Sequence, residues 1–256
     1  MSRPATTQVA PGVHRLGDHG VNFYLIEDPD GLVLIDAGLP SHREQLGALL
    51  ADLGRTLADI RAVLLTHGHP DHTGLARTLQ QAGADIWIHQ RDAGILRDGP
   101  RSANRHAKPE RSMLPYLLRR PSALALPLQL ARSGAFTAPA VRDARVFDAD
   151  LVLKDLPGAP QAVVMAGHTP GSTAYVFADR ELLFTGDALV TADAFSGHNG
   201  PALVCRCFTH DSGGALAALD RLDELPPVGV LLPGHGEPFT GGAGAAARLA
   251  REYGVR

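Results

Sequence analysis

One short run of metal-binding side chains, Thr66-His67-Gly68-His69-Pro70-Asp71-His72, constrains the fold of this chain more than any other feature. It comes directly after the apolar residues Val63-Leu64-Leu65, which are typical of a buried strand. Three imidazoles and a carboxylate therefore leave one strand end together. Imidazole nitrogen and carboxylate oxygen suit zinc or iron, and the lack of a nearby thiolate is untypical of a closed structural zinc site. The run predicts an open, catalytic metal centre at a strand end.

Three later segments follow the same pattern, in which an apolar run is followed by glycine and a metal-binding residue. They end in Gly167-His168, Gly186-Asp187 and Gly234-His235. Each of them alone is more typical of a core histidine or a turn residue. Together with the first run they supply five histidines and two aspartates at strand ends. This set is the right number for two metal ions that share one bridging carboxylate.

The order of apolar runs and turn residues predicts a layered α/β fold. In the first half we expect a hairpin from residues 21–26 and 32–35, strands at 60–65 and 85–89, and helices after 41 and at 74–81. In the second half we expect strands at 162–165, 172–177, 182–184 and 228–232, a helix at 213–222 and a terminal helix. Two strand-rich halves that each carry helices indicate packed layers. We expect one domain that spans residues 1–256.

Residues 97–132 fit neither half. Five prolines in this segment forbid one long helix, although its many leucines can cover a surface. Eight basic residues against two acidic residues give the segment a net charge of +6. We therefore expect a broken helical insertion, which is either a lid over the site, a solvated basic face or a dimer contact.

Composition excludes several classes of protein. The net charge of -3 provides no basic field for a nucleic acid. No apolar stretch is long enough to span a membrane, and the N-terminal residues lack the apolar core of a secretory signal. Cys205 and Cys207 are too few and too close together to staple a chain of 256 residues, which suits a reducing compartment. We expect a cytoplasmic protein without a nucleic-acid or membrane partner.

These motifs resemble those of the metallo-β-lactamase-fold hydrolases, and of the glyoxalase II-like branch in particular. The resemblance extends over nearly the whole chain, from Asn22 and Asp36 through residues 66–72, 167–172 and 186–187 to residues 233–236. It implies an αββα sandwich, to which residues 97–132 would add the helical insertion expected from their prolines. It also implies that one metal ion is held by His67, His69 and His168, that the other is held by Asp71, His72 and His235, and that Asp187 bridges the two. Asp36 would support these ligands from behind.

The resemblance implies a dinuclear zinc hydrolase that cleaves a thioester, an ester or a lactone. A pair of iron ions or a mixed iron–zinc pair is the alternative to two zinc ions. A metal-bound hydroxide is the expected nucleophile, because two metal ions bring the pKa of a bound water toward about 7. Asp71 is the candidate catalytic residue, since it faces this water. The expected substrate is a small-molecule or carrier-bound acyl compound. The arginines of residues 97–132 and Lys108 can bind an anionic group on it.

Other functions remain open at this point. Relatives resembling persulfide dioxygenases use the residues of the first group with a single iron, and a β-lactamase shares the fold, although that branch often carries cysteine where this chain has Asp187. A non-catalytic metal-binding protein is the structural alternative. A looser cluster of His198, Cys205, Cys207 and His210 is more typical of free thiols in a loop than of a third metal site. His198 can also border the substrate pocket.

Overall fold

A seven-stranded sheet forms the first half of the protein in the computed structural model, which describes residues 6–256. Residues 1–5, which belong to the predicted domain and to the N-terminal segment without a signal core, lie outside the described residues. The strands are β1 (Thr7–Ala10), β2 (Val13–Gly17), β3 (Asn22–Asp28), β4 (Gly31–Ile35), β5 (Ile60–Leu64), β6 (Asp85–His89) and β7 (Arg145–Phe147). Strands β1 to β4 pair antiparallel, and β4 to β7 pair parallel.

A second sheet and a short ribbon form the second half. Their strands are β8 (Leu151–Val152), β9 (Gln161–Val164), β10 (Thr173–Phe177), β11 (Leu182–Gly186), β12 (Val190–Asp193), β13 (His198–Ala202) and β14 (Val230–Pro233). The second sheet has the order β14-β11-β10-β9-β8, and β12 pairs with β13 alone. Within this sheet β14 runs parallel to β11, and the other pairs are antiparallel.

Helices pack on the outer faces of both sheets and also form much of the segment at residues 97–132. They are α1 (Arg43–Asp52), α2 (Ala76–Gln81), α3 (Ala93–Asp98), α4 (Ala103–His106), α5 (Leu114–Arg119), α6 (Ala125–Arg132), α7 (Ser212–Ala218) and α8 (Ala243–Tyr253). Leucines of α1 and α2 pack on the first sheet, and alanines of α7 and α8 pack on the second. No helix in residues 6–256 has the length and apolar character needed to cross a membrane.

The alternation of side chains along the strands produces this layering. In β3, Phe23 faces the helices of the first half, while Tyr24 faces a core that both sheets share. In β10, Val176 faces α7 and α8, while Tyr175 and Phe177 face the shared core. Successive strand residues point to opposite sides, so each sheet is buried on two faces. The predicted αββα sandwich is confirmed.

The segment at residues 97–132 is a series of short helices, as the prolines predict. Prolines occupy the first turns of α5 and of the 3₁₀ helices Pro100–Ser102 and Pro121–Leu124, where a missing N–H is tolerated. The segment contacts both halves of the protein. Gln129 Nε2 donates to Asp18 Oδ2 over 2.7 Å, and Glu110 Oε1 accepts the N–H of Ser212 at 2.9 Å.

The strand ends that carry the metal-binding motifs meet at one edge of the sandwich. The N–H of Thr173, at the start of β10, donates to the carbonyl of Thr66 just beyond β5 at 2.8 Å. The N–H of Asn22, at the start of β3, donates to the carbonyl of Gly234 just beyond β14 at 2.8 Å. These two hydrogen bonds join the sheets where the metal-binding side chains emerge.

Candidate metal centre

The structure brings all seven predicted ligands together at this edge. They form three overlapping groups, which are His67, His69 and His168; His67, His72 and Asp187; and Asp71, His72 and His235. Within each group, one possible ligand atom of every residue lies within 4.8 Å of the others. The first and third groups match the two ligand sets implied by the family resemblance.

Asp187 lies between the first and third groups. Its Oδ2 is 3.5 Å from His168 Nε2 and 3.1 Å from His235 Nε2, and its Oδ1 is 3.5 Å from His72 Nε2. One carboxylate therefore faces imidazoles of both groups. This position is the one that a bridging ligand requires.

Several atoms of the cluster are suited to a metal ion because nothing else satisfies them. Within residues 6–256, Nε2 of His67, Nε2 of His72 and Oδ1 of Asp187 are buried and have no hydrogen-bond partner. Burying such atoms without a partner is costly. Imidazole nitrogen and carboxylate oxygen are also the donors that zinc and iron accept. The residues therefore fit a pair of divalent ions.

Asp36 and Thr66 orient two of the histidines from behind. The Nδ1–H of His72 donates to Asp36 Oδ2 at 2.8 Å, and the hydroxyl of Thr66 donates to the same carboxylate. His67 Nδ1 then donates to Thr66 Oγ1 at 3.0 Å. These bonds leave the Nε2 atoms of both rings facing the centre, as expected for ligands fixed by supporting hydrogen bonds.

Charge within the cluster is unevenly distributed in the metal-free protein. Burial lowers the pKa of His72, but the carboxylates of Asp187, Asp71 and Asp36 more than offset it and raise that pKa to about 10. Burial also lowers the pKa of His235, but the carboxylates of Asp187 and Asp71 more than offset it and raise that pKa to about 9. The pKa of His67 lies well below its usual value, because burial and neighbouring His72 both disfavour a second charge. Binding of a metal ion therefore displaces protons mainly from His72 and His235.

Gly234 allows the strand ends to approach closely. A Cβ atom at this position would lie 2.4 Å from Asp187 Oδ1 and 2.7 Å from His72 Cε1. Any side chain here would push apart residues of the cluster. The glycine that precedes His235 is therefore required by packing against the centre.

Asp92 is a residue that the sequence analysis missed. Its buried carboxylate accepts the N–H of Gly68 at 2.9 Å, the N–H of Gly171 at 2.8 Å and the hydroxyl of Thr169 at 2.6 Å. It thus joins the loop of His67 and His69 to the loop of His168. A lone aspartate shortly after β6 carries no local signal for this role.

A cavity of about 560 Å³ opens over the cluster. Its base is formed by His69, Asp71, His168, Asp187 and His235. Residues of the 97–136 region form much of its wall, with apolar contributions from Leu126, Leu130 and Phe136. His198 also lines it, as the sequence analysis considered.

The looser cluster of His198, Cys205, Cys207 and His210 does not form a metal-binding group in the described part of the chain. Cys205 and Cys207 are buried free thiols whose Sγ atoms lie 3.4 Å apart, and His198 stacks on Tyr253 with ring centroids 3.8 Å apart. The described part of the chain brings no further metal-binding group together there. Asp211 caps α7 through the N–H of Gly214.

A comparison with protein families agrees with the geometry. The model of the metallo-beta-lactamase superfamily matches residues 16–235. The chain belongs to this superfamily. The family predicted from the motifs is therefore confirmed.

The chain is similar to several proteins of this superfamily, and their descriptions differ. The probable metallo-hydrolase YflN of Bacillus subtilis (strain 168) is 28% identical over 254 residues, which cover 91% of this chain and 87% of YflN. The hydroxyacylglutathione hydrolase GloC of Haemophilus influenzae is 25% identical, over 64% of this chain and 63% of GloC. Among solved structures, the di-iron-bound form of TTHA1623 aligns with a TM-score of 0.61 and 27% identity, covering 96% of this chain and 98% of TTHA1623.

Proposed function

We propose that this protein is a dinuclear zinc-dependent hydrolase that cleaves a thioester, an ester or a lactone. The observation that carries the proposal is the position of Asp187, whose carboxylate faces His168 at 3.5 Å, His72 at 3.5 Å and His235 at 3.1 Å. In the proposed centre, His67, His69 and His168 hold one ion, Asp71, His72 and His235 hold the other, and Asp187 bridges them.

The bound ions would supply a nucleophile derived from water near neutral pH and a Lewis acid for the carbonyl oxygen of the substrate. Asp71 is placed to hold the proton of the attacking water, because it lies at the base of the cavity. Its Oδ2 is 3.7 Å from His72 Nε2 and 3.6 Å from His235 Nε2. The carboxylate is therefore close to two of the proposed metal ligands and faces the space that the substrate would enter.

Zinc is the proposed metal, with iron or a mixed iron–zinc pair as the alternative. The donor set of imidazoles and carboxylates suits either metal. The di-iron form of TTHA1623 supports the view that iron fits a site on this fold. Metal analysis of protein purified without added metal tests this part of the proposal.

An acyl substrate, free or attached to a carrier, is proposed from the cavity and from the relatives. The name of GloC supports a thioester, since that protein is a hydroxyacylglutathione hydrolase, and its similarity supports placement in the glyoxalase II-like branch. The wall formed by residues 97–136 supports the proposal that the insertion covers the bound acyl group. Two unbonded thiols 3.4 Å apart support a reducing compartment such as the cytoplasm.

The decisive experiment is a hydrolysis screen with thioesters, esters, lactones and β-lactams on the zinc-loaded enzyme. Asp187→Ala should abolish hydrolysis and reduce the bound zinc. Asp52→Ala removes a carboxylate from the exposed end of α1, so this matched control should behave like the wild type. Equal activity in Asp187→Ala would contradict the bridging role.

Two other outcomes would replace the proposal. One iron per chain together with persulfide-dependent oxygen consumption would assign a mononuclear oxygenase. Hydrolysis of β-lactams alone would assign a β-lactamase. If none of these substrates reacted while zinc still raised the melting temperature, the centre would serve binding rather than catalysis.

A further inference from the structure

We propose that Arg120 binds an anionic group, a carboxylate or a phosphate, at the end of the acyl chain remote from the carbonyl. This inference rests on the proposed function and names the substrate class of the same cavity. The substrate would be an ester or thioester whose acyl group ends in a negative charge. Arg120 then determines specificity and takes no part in bond cleavage.

The cavity has the chemistry that such a substrate needs. Its base carries the proposed ligands, where the carbonyl would react. Its wall carries apolar side chains that suit a hydrocarbon chain, which are Leu126, Leu130, Phe136, Phe195, Val204 and Phe208. The insertion has eight basic residues. Among the described residues that line the cavity, Arg101 and Arg120 are the two that belong to this set, and Lys108 is not one of them. The candidates for the anion-binding residue expected from the sequence are therefore Arg101 and Arg120.

The guanidinium of Arg120 has no competing partner. Within residues 6–256 its side chain donates no hydrogen bond and forms no salt bridge with a carboxylate, including Asp193, which lines the same cavity. In contrast, Arg101 Nε already donates to the carbonyl of Phe136 at 3.2 Å. The planar donors of an arginine suit a carboxylate or a phosphate. Arg120 is therefore the side chain that is free to bind one.

The guanidinium of Arg120 also packs closely against the backbone of Gly197. A Cβ atom on Gly197 would lie 1.4 Å from Arg120 Nη1, so the guanidinium occupies the space that a side chain at this position would fill. Gly197 belongs to the turn between β12 and β13, and its φ of +76° already favours glycine there. The close approach adds a second reason for glycine. Arg120 thus rests against the backbone at the wall of the cavity.

The test compares two p-nitrophenyl esters, the half-ester of adipic acid and the ester of hexanoic acid, which differ in a terminal carboxylate. Zinc-loaded wild-type enzyme should prefer the adipate ester through a lower KM. Arg120→Gln should reduce this preference about tenfold, because a charge-assisted hydrogen bond is lost. Arg120→Lys should restore part of it. Arg119→Gln is the matched control, since it removes the same charge from the adjacent residue, which is exposed like Arg120 but lies outside the cavity, and it should keep the wild-type preference.

A second measurement does not depend on turnover. Isothermal titration of adipate and hexanoate into zinc-loaded and metal-free protein should show tighter binding of adipate, and Arg120→Gln should weaken it about tenfold. Inorganic phosphate in the same titration distinguishes a phosphate site from a carboxylate site. Gly197→Ala should resemble Arg120→Gln, because its Cβ displaces the guanidinium.

The two measurements separate the possible failures. If neither ester is hydrolysed and the thioesters and lactones of the screen also remain intact, while adipate binding depends on Arg120, the proposed function fails and the anion site stands. If Arg120→Gln and Arg119→Gln show the same preference for adipate and the same affinity, the anion site is overturned, whatever the activity. Thermal unfolding of each variant verifies that the fold is retained.

Discussion

Asp36 accepts the Nδ1–H of His72 at 2.8 Å, so a residue thirty-six positions earlier in the chain sets the direction in which this imidazole points. Both side chains are buried. Asp36 adopts a φ of +60°, which is uncommon outside glycine but tolerated by aspartate and asparagine. This backbone conformation just after β4 places the carboxylate next to His72, one of the proposed metal ligands.

This relationship predicts the effect of Asp36→Asn. The amide keeps the size and the backbone tolerance of aspartate, but it supplies one acceptor where the carboxylate serves both His72 and Thr66. We expect zinc affinity to fall by roughly 10–100-fold, which is typical for loss of a hydrogen bond behind a ligand. Competition with a chromophoric chelator measures this affinity. Asp30→Asn, in the exposed turn between β3 and β4, is the control, and equal affinities in both variants would contradict the supporting role of Asp36.

Asp92→Ala should destabilise the metal-free protein. The variant leaves the N–H groups of Gly68 and Gly171 and the hydroxyl of Thr169 without their acceptor in a buried place. We expect a loss of about 2–4 kcal/mol in the free energy of unfolding, the range for breaking a buried polar network. Urea denaturation measures it. An unchanged midpoint, as in Asp52→Ala, would show that Asp92 does not hold the two loops together.

The comparison of sequence and structure shows which signals are local. The meeting of the seven proposed ligands at one edge could be predicted because each follows an apolar strand run, and such runs are visible within a few residues. Asp92 could not be predicted, because its partner Gly171 lies 79 positions away and the contact depends on how two loops fold back. The ribbon of β12 and β13 was also missed, since both strands are short and β13 contains glycine and proline. The same limit applies to Arg120, whose place at the cavity follows from the packing of the insertion.

Gly234→Ala and Gly244→Ala should change stability in opposite directions. The first variant places a Cβ within 2.4 Å of Asp187 Oδ1, so we expect it to lose about 1–3 kcal/mol through overpacking and to bind less zinc. The second lies in α8, where the nearest atom to a new Cβ is 3.7 Å away, and alanine should stabilise the helix by roughly 0.5–1 kcal/mol. Thermal and urea unfolding with zinc analysis measure both effects. A Gly234→Ala protein with full zinc content would contradict the close packing at the centre.

The attachment of the insertion should depend on pH through Glu110. Partial burial raises the pKa of Glu110, but hydrogen bonds from Ser212 and Arg206 lower it to about 2, below the ordinary value of 4.5. The ionised carboxylate is therefore favoured in the folded protein. Its contribution is present above about pH 4.5 and is lost as the pH falls toward about 2.

Hydrogen exchange at residues 103–119, compared with the strands of the two sheets, measures this attachment. In the wild type, exchange of the insertion should rise relative to the sheets as the pH falls from 4.5. Glu110→Gln removes the charge at every pH, so its insertion should exchange faster at neutral pH and change less on acidification. Glu252→Gln, on the exposed face of α8, should follow the wild type. If Glu110→Gln also follows the wild type across this range, the insertion is held by its apolar contacts alone.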